Sequence, residues 1–401
     1  MSISALDLYR ALADLLRAGH LMRSSDLAAT VNAALRPLNL RVSIYLIDLE
    51  QRALRLLPDA DDTVTDPIPA DEGAPGEAFT TVRIVAAPDR SDLIWVPIMD
   101  GTERIGVARI VLPGADLLDD PEIRLGLTSM VGLIGHLVVA KTVYGDLLRR
   151  VRRSRPMSTE GELLWHNLPP LTFATDRLAI SAVLEPCYEV GGDAFDYAVD
   201  NDHAHLEIFD AVGHGLRAGL TAVLTLAATR AARSRGADLD DMAKAADAAL
   251  TSQFDDLRYT TAVLADLDLR TGLLRYLNAG HHPPVLMRGG KAVAYLDEEH
   301  RMPLGLADPR PATAQQQLEP GDRLLLYTDG ITEAHSPEGG PFGLDRLIAL
   351  AEHHSVDGLP VPEILRRIAH AVLDHQHGHL DDDATLMIVE WATDAGPRIV
   401  P

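Results

Sequence analysis

The sequence predicts an α+β protein of two domains, and three observations carry that expectation. Residues of β type come in runs and helical patterns come in runs, without the strict strand–helix alternation of a parallel sheet. Asp100-Gly101 and Thr271-Gly272 lie between β-type segments as hairpin signals, which makes neighbouring strands antiparallel. The 401 residues, 47% of them hydrophobic, exceed one ordinary domain and suffice for two cores.

The first third reads helix, strands, helix. Apolar residues recur at helical spacing in "LYRALADLL" and in "LAATVNAALRPL". Short β-rich runs follow: "RVSIYLIDLE", "ALRLLP", "TVRIVAAP", "LIWVPIMDG" and "RIGVARIVLP". A helical pattern then runs from about Pro121 to Arg153, with Val143, Leu147 and Val151 on one face. By element order, residues 5 to 145 resemble a sensory domain of the GAF type, with helices flanking an antiparallel sheet. The expected division is a GAF-like sensor domain over 1–145, a helical linker over 146–165 and a second domain over 166–395. The linker's apolar stripe has two uses, packing on its own domain or facing its twin in a homodimer. Its arginines read as a solvated face or as partners of carboxylates.

From Leu178 the texture changes. The runs "LAISAVLEP", "AHLEIFD", "TAVLADLD", "LLRYLNAG", "RLLLYTDG" and "ATLMIVEW" read as strands. Ala-rich helices are expected over Leu216 to Arg233 and Leu239 to Gln253, with later helices near Leu344 to His353 and Val361 to His375.

Composition excludes several classes. With 59 acidic against 36 basic residues the formal net charge is −23, which repels a nucleic-acid backbone. The single cysteine, Cys187, permits no intramolecular disulfide and no cysteine-based zinc site, and fits a reducing cytoplasm. The start lacks the basic, then uninterrupted apolar, character of a secretory signal. The charge-poor run Gly126 to Ala140 is short and carries Gly, Ser, Thr and His, so no membrane span is expected.

Aspartates stand at the ends of apolar elements. "LLLYTDGITE" ends at Asp329, which alone is also an ordinary turn residue. "GGDAFDY" places Asp193 after two glycines, "HLEIFDAVGHG" ends at Asp210, and "HLDDDATLMIVEW" sets Asp381, Asp382 and Asp383 before the last strand. If one core gathers these segments, like charges meet, and their ionised forms rise in energy unless a cation intervenes. Mg²⁺ and Mn²⁺ take oxygen ligands and need one or two protein carboxylates each. Two such ions activate water and hold a phosphoryl group for in-line attack.

At this point the chain resembles a known family. "EPCYEVGGDAFDY", "FDAVGHGLRAG", "YTTAVLADLD", "YLNAGHHPPVLM", "MPLGL", "LLLYTDGITEA" and "DDATLMIVE", in that order from about Leu163 to Trp391, look like the SpoIIE-type branch of the PPM metal-dependent protein phosphatases. The resemblance implies an α-β-β-α sandwich with two divalent cations, Mn²⁺ or Mg²⁺. It also implies hydrolysis of phosphoserine or phosphothreonine on a partner protein, an anti-sigma-factor antagonist, by a metal-bridged hydroxide. Carried over by motif, Asp193 and Asp210 become core ligands, Asp210 bridging both ions, with the Ala211 carbonyl as a backbone ligand. Asp329 and Asp382 complete the set. Asp383 becomes a supporting residue or, in the alternative register, a ligand itself, and Asp381 matches no role. Where the family often has paired alanines after "GHG", this chain has Ala218-Gly219, a change that bears on packing.

Other readings compete. The spacing of Gly213, Gly215 and Gly219 misses the dinucleotide pattern G-x-G-x-x-G. His214 is a candidate general acid or a loop histidine bonded to backbone. His281-His282 reads as architectural, and His375, His377 and His379 as a solvated loop instead of a zinc site. Cys187 reads as a small filler and Trp165 as an anchor for the linker. A non-catalytic scaffold that binds a partner through a phosphatase-like domain is the alternative function.

Overall fold

The computed structural model describes residues 3–59, 66–189, 191–310, 312–337, 339–356, 359–378 and 380–391. The chain divides at Arg155/Pro156 into two compact units.

In the first unit, α1 (Ala5–Gly19) opens on a capping box, Ser4 accepting from the Asp7 N–H while the Asp7 carboxylate accepts from the Ser4 N–H. After α2 (Leu27–Leu35) come β1 (Arg41–Ile47), β2 (Ala53–Leu56) and β3 (Ile68–Pro69). Next are α3 (Gly73–Thr81), β4 (Val85–Ala87), β5 (Arg90–Asp100), β6 (Glu103–Val111), α4 (Pro121–Thr142) and α5 (Leu147–Val151). Among the described residues the strands form one antiparallel sheet in the order β3-β2-β1-β6-β5-β4. Alternation along β1 sends Val42, Ile44 and Leu46 into a core with α1, α2 and α4, and Tyr45 and Ile47 into a smaller one with Ala78 and Phe79 of α3.

Two expectations need correction here. Thr81, read as the start of a strand, ends helix α3, whose sequence "GAPGEAFTT" hides its helical character behind two glycines and a proline. The helix expected to reach Arg153 stops at Thr142. Val143 caps it, and Gly145 follows in the break before the next helix, where a Cβ would stand 2.9 Å from the Ser24 hydroxyl oxygen. The 146–165 segment is therefore two short helices, α5 and α6 (Thr159–Trp165). Leu147, Leu148 and Val151 pack into their own unit's core. Helix α4, which contains the run Gly126–Ala140, is by length and composition apolar enough to cross a membrane, and half of that stretch is buried within its own unit.

The second unit begins with α6. Trp165 donates its indole N–H to the Cys187 carbonyl (2.7 Å), fixing α6 to the body as expected of an anchor. The strands are β7 (Thr172–Ala174), β8 (Leu178–Glu185), β9 (Asp193–Asp200), β10 (His203–Ala211), β11 (Thr260–Asp268) and β12 (Leu273–Ala279). They continue as β13 (Val285–Arg288), β14 (Lys291–Tyr295), β15 (His300–Arg301), β16 (Thr313–Gln317), β17 (Arg323–Tyr327) and β18 (Ala384–Trp391). Helices α7 (Gly215–Arg233), α8 (Leu239–Gln253), α9 (Asp329–Thr332), α10 (Leu344–Val356) and α11 (Val361–His375) complete it.

Among the described residues these strands make two sheets. One runs β15-β12-β11-β10-β9 with β16 also on β12, and the other β14-β13-β17-β18-β8-β7. In the second sheet, Leu324 and Leu326 of β17, Met387 and Val389 of β18, and Ala182 and Leu184 of β8 face the core shared with β10, β11, α7 and α8. The intervening residues Leu325, Tyr327, Leu386, Ile388 and Val183 face a second core with α10 and α11. Strands apolar on both faces are buried on both faces, and helices outside each sheet give the layering α-β-β-α. A buried ion network ties α7 to the sheet beneath it: Arg230 and Arg233 bind Asp196 of β9, and Arg233 also binds Glu207 of β10. The chain thus has the mixed α+β architecture expected of it.

Candidate metal centre

Antiparallel pairing sets Asp193, the first residue of β9, opposite Asp210 near the end of β10. Across the sandwich, Tyr327 of β17 pairs with Leu386 of β18, so the segments beyond them, Thr328-Asp329 and Asp382-Asp383, emerge side by side. The Thr328 N–H donates to the Thr385 carbonyl (3.1 Å) and the Thr385 N–H to the Thr328 hydroxyl (2.9 Å).

The two sheets meet at Asp193. Its Oδ2 accepts from the hydroxyls of Thr328 (2.6 Å) and Thr385 (2.7 Å), both from the opposite sheet. Asp383 makes the reciprocal tie. Its Oδ2 accepts from the backbone N–H groups of Gly191 (2.8 Å), Gly192 (2.5 Å) and Asp193 (3.3 Å). Sequence reading missed Thr328 and Thr385 because threonine inside "YTDG" and "DDAT" reads as a β-former; their positions one and two residues from an aspartate were the available signal.

Close approach explains the glycines. A Cβ on Gly192 would lie 2.7 Å from the Ala211 carbonyl oxygen, and one on Gly191 2.9 Å from the Gly215 nitrogen. Gly219 answers the same need: its Cβ would sit 3.2 Å from the Gly191 carbonyl and 3.3 Å from Glu160 of α6, so the departure at Ala218-Gly219 is one of packing.

Electrostatics join the carboxylates. Burial first, then the charges of Asp383 and Asp210, raise Asp193 well above the ordinary carboxyl range. Burial, then Asp329 and Asp382, push Asp210 up to about 7. Asp382 is raised by burial and by Asp329, and Asp383 chiefly by burial. Asp381 points elsewhere, accepting from the Gln376 amide at 3.4 Å. His214 is exposed at the N-cap of α7, makes no side-chain cap hydrogen bond, and its charge acts on Asp382.

The donors are all hard oxygens, which suits Mg²⁺ or Mn²⁺. Among the described residues no three His, Cys, Asp or Glu side chains close around one point. The carboxylates form an open, mutually repelling set, compatible with ions that keep much of their water and use few protein ligands.

The histidines outside the centre divide. His281 is buried and neutral, pushed down to about 3 by burial; its ring accepts from the Thr261 hydroxyl (2.7 Å) and donates to the Tyr327 carbonyl (3.1 Å), an architectural role. His375 accepts from Arg346 at 3.0 Å on one ring nitrogen. His379 lies outside the described residues.

Residues 200–392 match the family described as Stage II sporulation protein E (SpoIIE). The phosphoserine phosphatase RsbU of Bacillus subtilis (strain 168) is 25% identical over 215 residues, 53% of this chain and 63% of its own length. The phosphoserine phosphatase RsbP of the same organism is 25% identical over 224 residues, 54% of this chain and 53% of its own. The solved RsbU and RsbW domains of Rv1364c from Mycobacterium tuberculosis are 24% identical with a TM-score of 0.47, covering 56% of this chain and 62% of that one. The chain thus spans between half and two thirds of the length of these relatives. The match to the SpoIIE family lies in the second unit and covers the segment that holds Asp210, Asp329, Asp382 and Asp383.

Proposed function

We propose that this chain is a metal-dependent protein serine/threonine phosphatase. The observation that carries the reading is that Asp193 and Asp210 face each other at the ends of β9 and β10 while Asp329 and Asp382 leave the neighbouring strands β17 and β18 close enough for their charges to raise Asp210, all but Asp193 within the segment that matches the SpoIIE family. Asp193, Asp210, Asp329 and Asp382, with the Ala211 carbonyl, would hold two divalent cations, Mn²⁺ or Mg²⁺. When bound, these supply Lewis acidity and activate water. The chain's own residues do the rest. Thr328 and Thr385 aim Asp193, Asp383 clamps the Gly191-Gly192 turn against the centre, and exposed His214 hands a proton to the departing seryl oxygen.

The substrate in this reading is a phosphorylated partner protein, an anti-sigma-factor antagonist, in keeping with relatives named phosphoserine phosphatases. The first unit acts as a GAF-like sensor that regulates the enzyme from the cytoplasm. Dimerisation near the linker is part of the same proposal and draws on exposed Val143 and Tyr144 just before it.

The test is phosphate release from a phosphoseryl protein with added Mn²⁺, with and without chelator. Release that chelator stops is the expected result. Partner binding without release, in Mn²⁺ at any concentration, would instead identify a scaffold.

A further inference from the structure

The end of β10 and the start of β11 run together past the candidate centre. Asp210 pairs with Thr261 and Ala211 with Thr260, and the Val212 N–H donates to the Tyr259 carbonyl (3.1 Å). The same pairing carries Arg258 alongside Gly213. Its Nη1 lies 4.0 Å from where a Cβ on Gly213 would stand. The Arg258 side chain is only 16% exposed, and one edge of it is held: Nε (3.1 Å) and Nη2 (2.9 Å) both donate to Oδ2 of Asp256. That same oxygen accepts from Nη1 of Arg217, in the first turn of α7, at 3.1 Å. Two guanidinium groups therefore share the Asp256 carboxylate, in a loop that also carries Asp255. Arg258 stands three residues before Thr261, the strand partner of Asp210, in a chain whose formal net charge is −23.

The geometry points to Arg258 as the residue that receives the phosphoryl group of the substrate, an inference that rests on the phosphatase reading. A phosphomonoester dianion is repelled by clustered aspartates even after cations neutralise part of their charge. A planar guanidinium clamped along one edge presents its remaining N–H groups in a fixed direction, the arrangement that suits phosphate oxygens. Gly213 places no side chain next to Nη1, which a Cβ there would approach to 4.0 Å. Arg258 is thus a binding residue for the reacting group, distinct from the aspartates that would hold metal.

The experiment titrates inorganic phosphate into the full Mn²⁺-loaded chain by calorimetry, for wild type, R258A and R258K, and follows p-nitrophenyl phosphate hydrolysis on the same samples. R258A is expected to weaken phosphate binding and raise KM by roughly 10–100-fold, the effect of losing hydrogen bonds to a charged group, with Mn²⁺ affinity unchanged. R258K falls between, keeping charge without the fork. L257A, in the same loop, leaves every value in place. Equal phosphate affinity in wild type and R258A overturns the assignment, as does a wild type that binds no phosphate. A matching loss of Mn²⁺ affinity also overturns it, because Arg258 then belongs to the frame of the centre. Should R258A not fold, R258K decides, and unchanged phosphate affinity there sinks the assignment. Phosphate bound through Arg258 by a wild type that hydrolyses nothing supports the anion site while rejecting the phosphatase reading.

Discussion

Gly330 lies against the backbone of Asp383: a Cβ added at 330 would stand 1.8 Å from the Asp383 carbonyl oxygen and 2.7 Å from its carbonyl carbon. The glycine after Asp329 is therefore required by a close approach of two chain segments. Its backbone is helical, at the start of α9, and no left-handed turn is involved. Gly330→Ala must push the segments bearing Asp329 and Asp382-Asp383 apart, because backbone cannot yield as a flexible side chain can. A loss of about 1–3 kcal/mol in urea unfolding is expected, together with weaker Mn²⁺ binding by titration.

Asp210→Asn is expected to abolish Mn²⁺-dependent phosphate release while stabilising the metal-free fold, and Asp329→Asn to abolish release likewise. The metal-free prediction follows from charge. Asp210 is pushed up to about 7 from 3.8 by burial and by Asp329 and Asp382. Between those values the native state holds a proton that the unfolded chain has released, so stability falls as pH rises through this window and levels off above it. Each tenfold difference in proton affinity between folded and unfolded chain is worth about 1.4 kcal/mol, so a gain of at least that size is expected for Asp210→Asn in the metal-free chain at about pH 8. Unfolding of the chelator-treated protein across this pH range checks it; a pH-independent difference between variant and wild type would contradict the charge account.

How much of this centre was legible in the sequence follows from the same residues. The aspartates stood out because each interrupts an apolar run, and the motif order tied them to one family. That Asp383 commits Oδ2 to three backbone N–H groups, while Asp382 stays within the field of Asp329 and His214, is decided by the fold. Adjacent residues before a strand point in different directions, and spacing alone does not say which one faces the cleft.

Thr328 joins the two sheets by donating to Asp193 and ties β17 to β18 by accepting from the Thr385 N–H. Thr328→Val removes a donor from a buried carboxylate and leaves a buried N–H without its partner. We expect a loss of about 1–3 kcal/mol and a weaker Mn²⁺ affinity, with Thr328→Ser retaining most of both. Thermal unfolding alongside metal titration distinguishes this from simple loss of a methyl contact.

Arg233 holds two buried carboxylates, Asp196 and Glu207, far from the phosphoryl site in role. Arg233→Met strands Glu207, which burial already raises to about 7. Breaking such a pair costs about 3–5 kcal/mol. The deficit shrinks as pH falls from about 8 to about 5, because the native-state glutamic acid then takes up the proton that removes its charge. Chemical unfolding at both pH values measures it.

Several features were settled by the order of residues alone: the α+β class, the strands from Leu178 onward, the Ala-rich helices and the acidic ends of apolar runs. Each is a local property, written as periodicity or as a charged residue where an apolar one would be expected. Only the folded chain decided that helix α4 stops at Thr142, that α3 exists behind its glycines, and that the apolar stripe of α5 turns inward. It also decided that hydroxyls from one sheet aim an aspartate of the other and that Arg258 lies beside Gly213. These depend on which distant segments touch, and contact between segments far apart in sequence is set by packing of the whole core, which no local pattern encodes.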